Sequence, residues 1–178
     1  MDKAALKKEI IDWIKSIAVA VVLGLLIVNF VIQPTKVFSY SMEPTMYEGD
    51  RVLLEKVSQK VNWLSRGEIV AFQSPTDDRI FIKRIIGMGG DKVEIKNEKV
   101  YVNGKELHES YLKDGKTNGD FNVVVPKHKL FVMGDNRLNS FDSRAFGCVD
   151  LDAVRGRALL LFYPFNKIST LHQKDPAK

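Results

Sequence analysis

One uncharged run, residues 16–33, limits the folds open to this chain more than any other feature. It reads Ser-Ile-Ala-Val-Ala-Val-Val-Leu-Gly-Leu-Leu-Ile-Val-Asn-Phe-Val-Ile-Gln. Together with the apolar residues before it, the run is long enough to cross a bilayer, which takes about 20 residues. A cleaved targeting signal has a shorter apolar stretch that ends at small residues, whereas this run ends at Asn-Phe-Val-Ile-Gln-Pro. The sequence therefore predicts an uncleaved transmembrane helix.

This anchor divides the chain into four parts. We expect a cytoplasmic N-terminus at residues 1–15, the anchor at 16–34, an extracytoplasmic domain at 35–168 and a polar tail at 169–178. The orientation follows from the lysines, because positive charge stays on the cytoplasmic side of a membrane helix. The lysines before the run are Lys3, Lys7, Lys8 and Lys15, against Lys36 just after it.

The charge balance of the whole chain is mildly basic. Lys and Arg number 27 against 22 for Asp and Glu, a formal net charge of +5. This balance suits an anionic membrane surface, so membrane lipid is an expected partner. The positive charges are scattered and no basic block alternates with aromatic residues, so the sequence does not predict nucleic-acid binding.

Beyond Pro34 the apolar pattern changes to short runs separated by turns. The predicted strands are residues 36–40, 51–57, 68–72, 80–87, 92–96, 99–102, 122–125, 130–133 and 157–162. Asn97-Glu98 and Asn103-Gly104 predict tight turns. No long helical period follows residue 35, so we predict a mainly β domain, a folded sheet or barrel. The polar residues 105–120 are expected to form a flexible loop.

A serine between two turn signals is the first candidate for chemistry. Ser41 precedes Glu43-Pro44, where proline disfavours a helical conformation, and a second turn signal follows at Gly49. Nine residues separate Ser41 from Ile32, at most about 30 Å of extended chain, which places the serine near the bilayer. The alternative is an ordinary surface turn in which Ser41 bonds its own backbone, and a lone Ser-x-x-Pro does not decide between them.

A serine nucleophile needs a base, and one lysine is a candidate. The histidines occupy polar loops or the tail, which argues against a Ser-His-Asp triad. They are His108, His128 and His172. Lys83 shares a strand face with Phe81 and Ile85, and burial there would lower its pKa until the neutral amine could accept a proton. The alternative is an edge-strand lysine whose side chain reaches water.

The segment 133–147 is dense in hydrogen-bonding side chains and begins at the end of a predicted strand. It is either a turn held by its own Asp–Arg pairs or a support for catalytic groups, and composition leaves both open. The single cysteine, Cys148, cannot form an internal disulfide, and no Cys/His cluster has zinc spacing. The sequence predicts no metal site.

Four blocks follow the anchor in a fixed order: Ser-Met-Glu-Pro-Thr-Met, Lys-Arg-Ile-Ile-Gly, Gly-Asp-Asn-Arg-x-Asn-Ser-x-Asp-Ser-Arg and Gly-Arg-Ala-x-x-x-Phe-Tyr-Pro-Phe. Together they closely resemble bacterial type I signal peptidases of the short, single-anchor kind found in Gram-positive organisms. The resemblance implies a membrane-bound serine endopeptidase with a serine–lysine dyad and no cofactor. Such an enzyme removes N-terminal signal peptides from exported preproteins, cutting after small residues at Ala-x-Ala sites.

The resemblance also implies roles for individual residues. Ser41 would be the nucleophile and Lys83 the general base, with the Ser39 hydroxyl in the oxyanion hole. Ser140 would hydrogen-bond Lys83. The remaining expected residues are the ion pairs Asp142–Arg144 and Asp135–Arg84 and the cleft residues Val37, Phe38, Tyr40 and Ile82. The chain departs from the family pattern at Leu138, where a charge is common, and at Tyr40, where a small residue is common.

Two other functions remain open at this point. A self-cleaving repressor-type protease can share the dyad, but the anchor argues against it. An anchored paralogue could bind export substrates without cutting them, but it should lack Ser41 or Lys83, and both are present. The sequence indicates neither an oligomeric state nor a preferred preprotein.

Overall fold

The computed structural model describes residues 3–58, 63–113 and 115–171. These residues form a long helix, α1 (Lys3–Phe30), twelve strands and a short helix, α2 (Ser143–Phe146). The strands are β1 (Ile32–Lys36), β2 (Arg51–Glu55), β3 (Ile69–Gln73), β4 (Ile80–Met88), β5 (Lys92–Lys96), β6 (Lys99–Val102), β7 (Lys105–Glu106), β8 (Phe121–Val124), β9 (Lys129–Met133), β10 (Val149–Asp150), β11 (Val154–Tyr163) and β12 (Ser169–Thr170).

Helix α1 stands apart from the β domain. Its segment Leu6–Phe30 is long and apolar enough to cross a membrane by length and composition, and none of it is buried in the protein. Its 25 residues extend for about 37 Å at the rise of an α-helix, more than the apolar thickness of a bilayer. Lipid is the environment that an apolar helix with no protein cover requires.

The helix ends before the predicted anchor does. Residues 32–34, expected in the anchor, belong to β1 at the edge of a sheet, where Pro34 can be accommodated because an edge strand need not donate every N–H. The predicted strand at 36–40 is wrong apart from Lys36. Residues Tyr40–Met42 form a turn of 3₁₀-helix instead.

The junction between α1 and β1 is a single residue, Val31. Lys56, just beyond β2, holds this junction from the side. Its backbone N–H donates to the Val31 carbonyl at 2.8 Å, and its Nζ donates to the Asn29 carbonyl at 2.5 Å. A lysine that binds a carbonyl in the last turn of a helix also complements the helix dipole.

The strands form two antiparallel sheets. The larger sheet has the order β1-β2-β11-β3-β4-β9-β10, with β12 paired to β11, and the smaller has the order β7-β6-β5-β8. The predicted mainly β fold is confirmed, and eight of the nine predicted strands lie within three residues of observed ones. The turns after β5 and β6 have positive φ at Asn97, Glu98 and Asn103, as tight hairpins require. The two-residue strands β7, β10 and β12 were not predicted.

Apolar cores fix the serine turn and join the sheets. Met42 and Met46, on either side of the Glu43-Pro44 turn, are buried against Val52 and Leu54 of β2. A second core joins the smaller sheet to β4 and β9, with Phe131 at its centre. Burial of the two methionines holds the neighbouring Ser41 on the body of the domain.

The polar segment 105–120, which its composition predicts to be a flexible loop, is buried against the domain at three of its described residues. Leu107, Tyr111 and Thr117 are buried, and Leu107 belongs to the core between the sheets. The backbone N–H of Thr117 also donates to the Glu98 carbonyl at 2.8 Å. These contacts come from distant parts of the chain, which local composition does not reveal.

Candidate active site

Ser41 lies within the 3₁₀ turn and is only 6% exposed. Asn136 binds this turn from the facing loop. Its backbone N–H donates to the Ser41 carbonyl at 3.0 Å, and its side-chain amide donates to the Tyr40 carbonyl at 3.2 Å. Ser39, whose backbone is extended, places its Oγ 3.0 Å from Ser41 Oγ. The two serine hydroxyls are therefore within hydrogen-bond distance of each other.

Lys83 lies on β4, an interior strand between β3 and β9, and is 4% exposed. The edge-strand alternative is thereby contradicted. Its Nζ is 5.8 Å from the centre of the Phe81 ring, which belongs to a cluster with the rings of Phe72, Phe141 and Phe146. Among the described residues, no ion pair or side-chain hydrogen bond reaches the Lys83 amine. Lys83 is therefore a buried amine beside the Phe81 ring.

This setting changes the acidity of Lys83. Burial disfavours the ammonium form and lowers the pKa to about 8, although the Asp142 carboxylate opposes the shift and the Arg144 guanidinium adds to it. At pH 7 a group with that pKa is neutral about one time in ten, whereas an ordinary lysine is neutral less than one time in a thousand. A lysine with this pKa meets one requirement for a general base, a neutral amine near physiological pH.

Ser41 and Lys83 line one cleft of about 1110 Å³. The cleft extends from the end of α1, at Asn29 and Phe30, past the serine turn to Phe141. All the residues expected for the cleft line it, namely Val37, Phe38, Tyr40 and Ile82. The aromatic pair is the more exposed: Phe38 is 75% exposed and Tyr40 53%.

The loop of residues 134–144 packs behind the serine turn at Gly134. A Cβ on Gly134 would lie 2.3 Å from Ser140 Oγ and 2.4 Å from the Ser41 carbonyl oxygen. Contacts that short are sterically impossible, so only glycine lets the loop approach the serine this closely. Gly134 and Asn136 are site residues to which sequence reasoning gave no role, although both stand in the block that carries the resemblance.

Asp142 and Arg144 pair at the far end of this loop. The guanidinium donates twice to the carboxylate, both times at 2.8 Å, and the Gly134 N–H adds a bond at 3.0 Å. Burial would raise the pKa of Asp142, but the hydrogen bonds and charge of Arg144 outweigh it, so the pKa is lowered. The carboxylate therefore remains ionised and keeps the loop folded around Gly134.

Ser140 does not make the expected hydrogen bond to Lys83. Its hydroxyl is buried and has no hydrogen-bond partner within the described part of the chain. The side chain instead packs against the Gly134 backbone, with the hydroxyl close to Asp142 but outside hydrogen-bond geometry. A sequence match identifies the residue at this position but not the rotamer that it adopts.

Arg84 and Asp135 form a buried ion pair, with both side chains fully covered. Arg84 donates from Nε at 2.8 Å and from Nη2 at 2.6 Å to the two carboxylate oxygens, and from Nη1 to the Gly67 carbonyl at 2.7 Å. Thr45 Oγ1 donates to the same carboxylate at 2.5 Å. Sequence reasoning assigned no role to Thr45, which connects the serine turn to this pair.

One cluster among the described residues has a geometry that could hold a metal ion: His128, Asp150 and Asp152. All three are exposed and none lines the cleft. His128 Nε2 lies 3.2 Å from Asp152, and Lys129 Nζ lies 3.0 Å from Asp150. The cluster is a set of polar side-chain contacts on the surface, outside the cleft that Ser41 lines.

Comparisons with known proteins identify the family of the chain. A family model described as signal peptidase, peptidase S26, matches residues 10–163. Signal peptidase IB of Staphylococcus aureus (strain COL) is 41% identical over 189 aligned positions, 96% of this chain and 97% of the relative. Signal peptidase I of Bacillus licheniformis is 40% identical over 173 positions, 91% and 93% of the two chains.

A solved structure gives the same result. The crystal structure of a signal peptidase I from Enterococcus faecalis V583 has a TM-score of 0.50 and 35% identity, covering 52% of this chain and 94% of that chain. The resemblance drawn from the four sequence blocks is confirmed, and the apolar α1 fits a membrane protein. The chain therefore belongs to the signal peptidase family, peptidase S26, and acts as an endopeptidase that removes signal peptides.

Proposed function

We propose that Ser41 and Lys83 perform this cleavage as a catalytic dyad. The observation that carries the proposal is their shared environment: both are buried, both line the same cleft, and burial lowers the pKa of Lys83 to about 8. A neutral amine can accept the Ser41 proton, which an ordinary ammonium cannot do. The histidines at positions 108 and 128 do not line the cleft.

The reaction proceeds in two halves. Lys83 Nζ takes the hydroxyl proton as Ser41 Oγ bonds to the carbonyl carbon before the cut, and the protonated amine then gives that proton to the leaving amino group. The signal peptide is now an ester of Ser41. Lys83 next takes a proton from water, whose oxygen bonds to the ester carbon. The bond between that carbon and Ser41 Oγ then breaks, and Lys83 gives its proton to Ser41 Oγ, which regenerates the serine and the neutral amine.

Ser39 stabilises the oxyanion together with the Ser41 backbone N–H. Its Oγ is 3.0 Å from Ser41 Oγ, so a carbonyl under attack at Ser41 comes within its reach. One donor of this kind typically contributes about 3–4 kcal/mol to the transition state. Asp142, Arg144, Asp135 and Arg84 support the reaction by fixing the loop and strand that hold Ser41 and Lys83. Ser140 supports the site by packing against the Gly134 backbone beside the Ser41 carbonyl.

The substrate lies in the cleft as an extended strand. Val37 and Ile82 supply apolar contacts near the serine, which suit the small residues of an Ala-x-Ala site. Phe38 and Tyr40 are exposed at the cleft and contact the residues between the small ones. The preproteins are those carrying such sites, and the cleavage uses no metal or other cofactor.

The membrane sets where the reaction occurs. The lysines that precede the apolar run favour a cytoplasmic N-terminus, so the β domain faces the outside of the cytoplasmic membrane. Membrane lipid is the partner of α1, and nucleic acid is not a partner. A protease-protection assay on sealed vesicles tests this orientation, since digestion of the β domain from the cytoplasmic side only would reverse it.

The dyad is tested by purifying Ser41→Ala and Lys83→Ala in detergent with a preprotein that carries one Ala-x-Ala site. We expect a single cut by the parent protein and at least about a 10⁴-fold loss in both variants. The matched controls are Ser169→Ala and Lys127→Ala, which change exposed residues outside the cleft. Cleavage by either dyad variant at the control rate would reject the mechanism.

A further inference from the structure

A buried cluster links the segment after β7 to the 134–144 loop. This Arg137 cluster consists of Glu109, Tyr111, Thr117 and Arg137. Both side chains of the Arg137–Glu109 ion pair are less than a tenth exposed, and Thr117 is fully buried. Arg137 donates to Glu109 Oε2 at 3.1 Å, and it also donates to Glu109 Oε1 and to the Thr117 hydroxyl. The guanidinium is thus held by groups from a segment about twenty to thirty residues earlier in the chain.

Tyr111 connects this cluster to the Arg84–Asp135 pair. Its ring centre lies 3.9 Å from Arg84 Cζ and 5.9 Å from Arg137 Cζ, so both guanidiniums contact one aromatic ring. Its hydroxyl donates to Glu109 Oε1 at 2.8 Å. Burial and the Glu109 charge raise the pKa of Tyr111, so the hydroxyl keeps the proton that it donates.

Both guanidiniums act on the residues that hold the serine turn. Arg137 Nε donates to the Gly134 carbonyl at 2.9 Å, and Arg84 binds Asp135. Asn136 therefore lies between two clamped neighbours, and it is Asn136 whose N–H donates to the Ser41 carbonyl. The chain of contacts runs from the segment after β7, through two arginines, to the backbone of Ser41.

We infer that Glu109, Tyr111 and Thr117 are positioning residues for Ser41, acting through Arg137 and the backbone of residues 134–136. The inference rests on the proposed dyad, in which Ser41 is the nucleophile. The segment between β7 and β8 thus has a role in the reaction, although none of its described residues lines the cleft.

Stability alone does not explain the cluster. The smaller sheet already packs on the larger one through an apolar core that includes Val93, Val102 and Phe131. Burying an ion pair costs desolvation, and apolar residues of similar size often give equal or greater stability. The directional hydrogen bonds of Arg137 fix the position of the loop backbone. Such positioning matters for catalysis, because a misplacement of about 1 Å in an active site can cost about a hundredfold in rate.

The test compares Glu109→Gln and Tyr111→Leu with the parent enzyme, measuring kcat and KM on the same preprotein. We expect kcat to fall about tenfold, with KM changed by less than about twofold, since the cleft walls are untouched. Tyr111→Phe keeps the ring between the guanidiniums and should restore most of kcat. The matched control is Glu106→Gln, the same chemical change at an exposed carboxylate three residues away, which should leave both constants unchanged.

Each outcome decides the inference. The inference is overturned if Glu109→Gln and Tyr111→Leu have the same kcat as Glu106→Gln. It is also overturned if the fall in kcat disappears when the assay temperature is lowered, because such a fall reports unfolding. If Tyr111→Leu does not fold, Glu109→Gln and Tyr111→Phe carry the comparison, and equal kcat in the two would also overturn it. Ser41→Ala is assayed in parallel: if that variant retains activity the dyad itself fails, whereas an inactive Ser41→Ala with a fully active Glu109→Gln rejects only the positioning role.

Discussion

Lys83 and Arg84 are consecutive residues of β4, both buried, yet their surroundings are opposite. The Lys83 amine lies beside an aromatic ring with no ion-pair partner among the described residues, whereas the Arg84 guanidinium binds Asp135, the Gly67 carbonyl and the face of Tyr111. Strand alternation sends the two side chains to opposite faces of the sheet. One face carries the proposed base and the other carries the brace that keeps the neighbouring loop in place.

This comparison shows how one strand can hold two basic side chains that have different roles. A buried cation without a partner is costly, so its pKa falls and it becomes a base. A buried cation with a carboxylate and further acceptors keeps its charge and becomes structural. The identity of the residue matters too, because arginine stays protonated in either setting while lysine does not.

Lys83→Arg is expected to give the largest effect, a loss of kcat of at least about 10⁴-fold. The side chain keeps its charge and approximate length, but a guanidinium does not release its proton near neutral pH and so cannot serve as a base. Steady-state cleavage of a preprotein measures the loss. Arg84→Lys on the opposite face is the comparison variant, and it should retain more activity. If Lys83→Arg kept nearly the activity of the parent, Lys83 would not be the base, and the proposed difference in role between the two faces would be rejected.

Arg84→Met is expected to lower the free energy of unfolding by about 3–5 kcal/mol, because it leaves the Asp135 carboxylate buried without its partner. Chemical denaturation at pH 7 measures the change. The double variant Arg84→Met with Asp135→Leu removes both charges and should recover part of the loss. If Arg84→Met were as stable as the parent, Arg84 would have no stabilising role.

Lys83→Met is expected to stabilise the protein by about 2–4 kcal/mol below pH 8. The pKa of Lys83 is about 8 in the folded protein and near 10.5 when unfolded, so the unfolded chain binds more protons between those values and the parent gains stability as pH rises. The advantage of the variant should therefore shrink from pH 8 to 10.5. Denaturation across that range measures it, with Lys127→Met as the exposed control. A difference independent of pH would contradict the lowered pKa.

The same titration predicts how activity depends on pH, because only the neutral amine accepts the serine proton. The kcat/KM of the parent enzyme should rise about tenfold per pH unit at low pH and level off above pH 8. A profile that is flat between pH 6 and 9 would argue against Lys83 as the base.

Ser140→Ala is expected to give the smallest effect. Its hydroxyl is buried without a partner, so its removal should change the free energy of unfolding by less than about 1 kcal/mol. Because the hydroxyl makes no bond to Lys83, kcat should also change by less than about twofold. Chemical denaturation and steady-state kinetics measure the two quantities. A tenfold fall in kcat would contradict this prediction and would mean that the hydroxyl acts on Lys83 during the reaction.

Much of the comparison between the two faces follows from sequence. Alternation alone puts Lys83 with Phe81 and Ile85, and the structure agrees, since Phe81 is the ring nearest the amine among the described contacts. What alternation cannot supply is whether β4 lies inside the sheet. Strand β4 is interior because β3 pairs with one of its sides and β9 with the other. The β9 residues are more than forty positions along the chain from their partners in β4.

The failures have related causes. Residues 32–34 continue an apolar run, so they were predicted as membrane helix, although pairing with β2 makes them a strand. Tyr111 and Thr117 stand in a polar stretch, and their burial depends on Arg84 and Arg137, which local composition does not reveal. The bond expected between Ser140 and Lys83 failed because a motif fixes which residues are present but not which way a hydroxyl points.

The one-residue junction at Val31, held by Lys56, has a consequence for where the enzyme can cut. With one residue between the anchor and the first strand, the domain has little chain in which to move away from α1, so we expect the cleft to stay at a nearly constant height above the lipid. A preprotein must bring its scissile bond to that height while its own apolar segment is still in the membrane. We therefore expect the choice of cleavage site to depend on the distance between the scissile bond and the membrane-embedded segment of the preprotein, as well as on side-chain size.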